Sequence, residues 1–375
     1  MRTPTAPAPA PSPVPDAHGV PPLLRPAVLG ELRLPNRVLM APATRARATA
    51  PGLAPTELHA AYYAQRAGAG LLITEGTWIS REAVGFANVP GVYSDEQVAG
   101  WRRVTSLVHA LGGRIVLQLW HCGAVSHPDL LGGAPPLGPS AVDPHERAFT
   151  PGGFRPAPVP RAMTPSDIAR TLADYAAASA NARRAGFDGV EVHALGPYLI
   201  PQFLNPRLNL RTDGYGGTPA GRRRFLLEVV EAVAGAWDGR RVGVRLSPRW
   251  ASSDRFPADA STDAEYAELV AALNDAPLAY LHLRGPEAGA PDLAFFARYR
   301  ALYRGPLIAN LGFTPSTAAA ALAGGHADAV SFAAHFIANP DLVTRIALGL
   351  PLSAPDEDTY YTPGPKGYTD YPQAT

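Results

Sequence analysis

A single (β/α)8 barrel, an α/β fold of the TIM-barrel type, is what the sequence predicts, and three observations carry that prediction. Eight short runs are almost continuously apolar, as strands buried on both faces of a parallel sheet should be. Each run is followed by a longer amphipathic stretch with a helix start signal. No second sheet pattern, alternating or otherwise, competes with them.

The strand-like runs are 37–42 (RVLMAP), 70–76 (GLLITEG), 114–120 (RIVLQLW) and 189–193 (GVEVH), then 242–247 (VGVRLS), 279–284 (AYLHLR), 306–311 (PLIANL) and 328–333 (DAVSFA). The helix after 163 offers Thr164 as N-cap, Pro165 at the first helical position, Asp167 in the first turn and Gly186 as the stop. Thr218 and Thr314 open two further helices in the same way. The longest non-helical connections, about 121–163 and 247–262, both follow strands, on the side where such barrels place their active sites.

With 375 residues, 46% apolar, the chain is long enough for one barrel with insertions. Residues 1–22, rich in proline and alanine, read as a disordered tail, and 23–375 as one domain. A net charge of +1 argues against a nucleic-acid or anionic-membrane surface. No stretch is apolar for long enough to span a bilayer. The single Cys122 excludes an internal disulfide and suits a reducing, cytoplasmic setting. The partner class that remains is a small-molecule substrate, with a homo-oligomer left open.

Polar residues concentrate at the strand ends. They are Pro42-Ala43-Thr44, Thr74-Glu75-Gly76, Gln118 with Trp120-His121, His193, Arg245, and Asn310 before Leu311-Gly312. An amide, a guanidinium, a hydroxyl and an imidazole converging on one mouth suit a flat, heteroatom-rich ligand, since a buried arginine demands an electron-rich partner. No carboxylate cluster or His/His/Asp spacing suggests a metal, and no GxGxxG follows a strand.

Taken together, "LPNRVLMAPATRARA", "YYAQRAGAGLLITEGTWIS", "RIVLQLWHCG", "GFDGVEVHALGPYLIPQFLNPRLNLRTDGYGG", "VGVRLSP", "FIANPDLV" and "GYTDYP" resemble the Old Yellow Enzyme family. The similarity runs from about Leu23 to Pro372. It implies an FMN-dependent NAD(P)H oxidoreductase that reduces the C=C bond of an α,β-unsaturated carbonyl. It also implies roles. Pro42, Ala43, Thr44, Gly76, Gln118, Arg245, Gly312, Ala333, Ala334 and Tyr360 would face the flavin, with Arg245 beside its N1 and C2 carbonyl. Trp120 and Tyr361 would wall the substrate pocket. His193 would hold the substrate carbonyl oxygen and Tyr198 would deliver the proton.

The chain departs from the family pattern in two places. Gly196 stands where the second carbonyl donor belongs, followed by Pro197 instead of glycine. Leu311 and the pair Ala333-Ala334 replace the glycine and the Gly-Arg of the phosphate end, which implies weakened FMN binding. The alternative reading is therefore an Old Yellow Enzyme-like protein that catalyses a non-reductive isomerisation or cyclisation in specialised metabolism. Each residue also has a plainer reading. Arg245 would pair with Glu75 or Glu191, Gln118 and Thr44 would be interior hydrogen bonders, and Trp120 would be core. His121, His127 and Cys122 read as structural, His335 as surface or as a group just behind the site, and at least one of Arg222, Arg223 and Arg224 as a contact of the Asp213 region.

Overall fold

The computed structural model describes residues 19–49, 51–249, 259–286 and 289–374. Eight parallel strands close into a barrel in chain order: Val38–Met40, Leu72–Trp78, Ile115–Trp120, Gly189–Ala194, Val242–Leu246, Leu278–Arg284, Leu307–Asn310 and Ala329–Phe332. They match the eight runs read from the sequence to within two residues at either end. Their burial is nearly unbroken because helices cover the outer face and side chains fill the inner one.

The expected caps form. Thr164 Oγ1 accepts from Asp167 N (3.1 Å) and Asp167 Oδ2 accepts from Thr164 N (2.8 Å), closing a capping box on the helix Pro165–Arg184. Gly186 follows with φ +87°, the left-handed turn that ends the helix. Thr218 and Thr314 cap the helices Pro219–Ala234 and Pro315–Ala323.

Three two-stranded ribbons were not anticipated. The antiparallel hairpin Ala27–Leu29 and Leu32–Leu34 is too short for its alternation to stand out. Its Leu29, Leu32 and Leu34 plug the N-terminal end of the barrel against Leu39, Leu71, Ile73, Val116, Tyr280 and Ile308. Burial of each leucine stabilises by about 1.5–3 kcal/mol. The connection 121–163 carries the other two ribbons, Leu137–Gly138 with Arg161–Ala162 and Arg147–Thr150 with Gly153–Pro156.

The three arginines at 222–224 find glutamates. Arg222 pairs with Glu265, Arg223 with Glu268 and Arg224 with Glu228. Asp213 itself is held by Arg211, and Arg224 makes the expected contact with this region, its guanidinium lying against Gly214 and over the Tyr215 ring (4.6 Å). The expected tail at 1–22 falls, up to residue 18, outside the described residues, as does 250–258 of the long connection after the fifth strand. Among the described residues no helix is long and apolar enough to cross a membrane.

Candidate active site

His193 lies one residue before the end of the fourth barrel strand, in register with Arg245 on the fifth. The strand geometry sends residues two apart to the same face, so Glu191 and His193 both point inward. The His193 ring stacks on Trp120 (centroids 5.2 Å, 22° between planes), and Trp120 stacks in turn on Trp78. Tyr198 meets both rings edge-on, at 4.8 Å from Trp120 and 5.2 Å from His193. The break at Gly196-Pro197 makes this possible. It takes the chain off the strand and leaves Tyr198 as the cap residue of the short helix Leu199–Leu204.

Burial sets the proton states. It lowers the His193 pKa to about 3, with the nearby Arg245 charge adding to the effect, so the imidazole is neutral. It raises the Tyr198 phenol well above 10, so the hydroxyl keeps its proton. His193 Nδ1 is buried with no hydrogen-bond partner. A site with a neutral imidazole, an intact phenol and an unmet polar atom is equipped to hold a carbonyl oxygen and donate a proton.

Arg245 is 7% exposed, and desolvation lowers its pKa to about 10. Its Nη2 donates to Asn310 Oδ1 (2.8 Å) and its Nη1 to the Pro42 carbonyl (3.4 Å). The expected plain pairing with Glu75 is not made, and Glu191 acts on Arg245 only through its field. Arg245 Nε is buried without a partner. Gln118 donates to Glu191 Oε1 (2.8 Å). Pro42, Ala43 and Thr44 are half-buried at the rim. An unmet guanidinium nitrogen beside an amide and a carbonyl-binding pair is the donor set a flavin ring edge requires, so the residues present fit that group.

Gly76 is pressed by Trp120: a Cβ there would sit 2.4 Å from the indole. Tyr360 and Tyr361 return to the mouth on the C-terminal segment. Arg47 secures that segment through the carbonyls of Thr359 (2.8 Å) and Tyr360 (2.9 Å), and Tyr361 packs on Phe86. His121 is buried and neutral, accepting from Gly123 N (2.9 Å), and Cys122 is buried as filler. His335 is half-buried. Among the described residues no cluster of three His, Cys, Asp or Glu side chains could hold a metal ion.

Gly196 has φ +68° and its N–H donates to Ser247 Oγ (3.1 Å). Leu311 has φ +89°, a conformation that costs a branched residue about 1–2 kcal/mol. Gly312 follows at φ +77°. The backbone therefore makes a glycine-type turn at Leu311-Gly312 with a leucine in its first position.

The profile of the NADH:flavin oxidoreductase / NADH oxidase family matches residues 22–353. The chain belongs to this family, the Old Yellow Enzyme family. A flavin oxidoreductase of Emericella nidulans is 39% identical over 384 residues, covering 94% of this chain and 98% of the relative. A protein described as a probable FMN-dependent alkene reductase, from Leishmania infantum, is 41% identical over 356 residues, with 93% and 97% covered. A morphinone reductase solved with tetrahydroNAD superposes with a TM-score of 0.88 at 43% identity, over 95% of this chain and 98% of that one. Nothing in the site or among these relatives favours the isomerisation or cyclisation reading.

In this Old Yellow Enzyme two interior groups escaped the sequence reading. Glu75, taken as a bland partner for Arg245, accepts instead from the backbone N–H groups of Arg45 (3.1 Å) and Ala46 (3.2 Å) and so holds the turn after Thr44. Burial raises its pKa to about 7. His282 bonds Glu191 and Ser331 inside the barrel. The signal for His282 was present: a histidine at an alternate position of "AYLHLR" has to find polar company indoors.

Proposed function

We propose that the chain is an FMN-dependent, NAD(P)H-consuming reductase of activated C=C bonds, acting within one barrel domain over residues 23–375. The chemistry supplied by bound FMN is two-electron reduction, from NAD(P)H to the β-carbon of an α,β-unsaturated carbonyl. Thr44, Gln118 and Arg245 would hold the ring, with Pro42, Ala43, Gly76 and Tyr360 around it. Trp120 and Tyr361 would wall the substrate. His193 would donate to the substrate carbonyl, drawing charge off the alkene, and Tyr198 would protonate the α-carbon as carbanion character develops. The observation that carries this reading is the pair of unmet buried nitrogens, Arg245 Nε and His193 Nδ1, on residues paired in register on adjacent barrel strands.

The test is direct. The purified protein should show flavin absorbance, alone or after adding FMN, and oxidise NADPH when 2-cyclohexenone is supplied. A protein that FMN cannot reconstitute, or one that consumes no nicotinamide with any enone, would end the reading.

At the phosphate end, Gly312 and the backbone of Ala333-Ala334 would hold FMN without an arginine, which supports a weakened grip. Ala334 is exposed, so an arginine fits. Ala334→Arg adds a charge-assisted contact of about 1.5–3 kcal/mol and is expected to lower the Kd for FMN roughly 10- to 100-fold, read by fluorescence quenching, with little change for riboflavin. At Gly196, asparagine tolerates the left-handed φ better than other side chains. Gly196→Asn is expected to raise kcat/KM for 2-cyclohexenone by about tenfold or more by supplying a second donor, whereas Gly196→Ala only adds strain.

A further inference from the structure

The polar groups inside the barrel form one chain beneath the mouth. Gln118 Nε2 donates to Glu191 Oε1 (2.8 Å), Glu191 Oε2 lies 2.8 Å from His282 Nδ1, and His282 Nε2 lies 2.8 Å from Ser331 Oγ. All four side chains are 0–2% exposed. Asn310 ties the chain to Arg245: its Nδ2 donates to the Ser331 carbonyl (3.0 Å) and its Oδ1 accepts from Arg245 Nη2 (2.8 Å). Six barrel strands thus contribute one residue each to a continuous network.

A carboxylate in such a place is expensive unless it is paired. Burial pushes the Glu191 pKa up, but His282 and then Arg245 and Gln118 outweigh it, and the net direction is down, so Glu191 is anionic. That fixes the polarity of its neighbours. An ionised carboxylate can only accept, so the Gln118 amide nitrogen must face it, leaving the amide oxygen for a donor. His282 likewise donates from Nδ1 and accepts the Ser331 hydroxyl proton at Nε2. The Ser331 hydroxyl is taken up by His282, so the chain orients groups and offers no nucleophile.

We propose that Glu191 is the positioning residue of the cofactor site, holding Gln118 as an acceptor for the imide N–H of a flavin ring and offsetting part of the Arg245 charge. This rests on the flavin reading above. It makes the ligand class explicit: a flat heterocycle with an N–H between two carbonyls at one end and charge accumulating beside Arg245 on reduction. Removing the Glu191 charge would leave Arg245 less compensated and favour the reduced, anionic form.

The test uses the full chain with Glu191→Gln, which keeps size and hydrogen-bonding capacity, and Glu191→Leu, which keeps neither. Three quantities are measured: the Kd for FMN, the Kd for FMN methylated at the imide nitrogen, and the midpoint potential. Wild type should bind FMN at least tenfold more tightly than the methylated analogue, and Glu191→Leu should lose that discrimination. Glu191→Gln should raise the ratio of reduced-form to oxidised-form affinity at least tenfold, about 30 mV for a two-electron couple. Should Glu191→Leu fail to fold, Glu191→Gln alone decides through the potential. A folded Glu191→Gln with an unchanged or lowered potential overturns the proposal while leaving the reductase reading intact. A wild-type protein that binds no flavin overturns both.

Discussion

Replacing His193 by alanine is expected to lower kcat/KM for an enone such as 2-cyclohexenone by about 100- to 1000-fold, with FMN content unchanged. The usual effect of deleting one donor to a developing oxyanion is about 3–4 kcal/mol. Here the loss should sit at the top of that range. With glycine at 196, no side chain three residues further on can take over, and the Gly196 N–H is already engaged by Ser247. The imidazole is neutral, its pKa lowered to about 3 chiefly by burial, so it acts as a hydrogen-bond donor of fixed charge. Steady-state kinetics with flavin quantified in the same preparations checks this. A loss below tenfold would show that the carbonyl is held elsewhere.

Tyr198→Phe should cost about 100-fold or more in turnover while leaving KM within a few-fold, because the phenol acts only as the proton moves. Phenylalanine preserves the edge contacts with Trp120 and His193, so the wall of the pocket survives. The pH profile provides a second readout. His193 stays neutral above its lowered value of about 3, and the Tyr198 hydroxyl holds its proton until well above 10. Neither group titrates between about pH 5 and 9, and wild-type kcat should show no limb there from this pair. If Tyr198→Phe retains full activity, the proton comes from elsewhere.

Much of this site was readable because strands of a parallel barrel announce themselves. His193 ends its apolar run, Arg245 and Gln118 interrupt theirs near the C-terminal end, and the family resemblance attached a role to each. The pairing of Glu191 with His282 was not readable, since only closure of the barrel brings residues on two non-adjacent strands within 2.8 Å. Glu75, one of two carboxylates offered as a plainer partner for Arg245, bonds elsewhere. Its carboxylate accepts from the backbone of Arg45 and Ala46, and no spacing in sequence encodes that choice.

Leu311 shows the same division from the other side. Sequence alone established the barrel, its strand order, the family resemblance and the two places where the chain departs from it, because all of these follow from residue types and periodicity. Only the tertiary structure decided what the departures mean. The left-handed φ at Leu311 and at Gly196 is a fact of the folded backbone that residue type alone does not give, least of all at a leucine. Likewise, the neutrality of His193 arises from desolvation, and Glu191 stays charged against desolvation because His282, Arg245 and Gln118 surround it; both the burial and that company belong to the folded barrel rather than to the local chain.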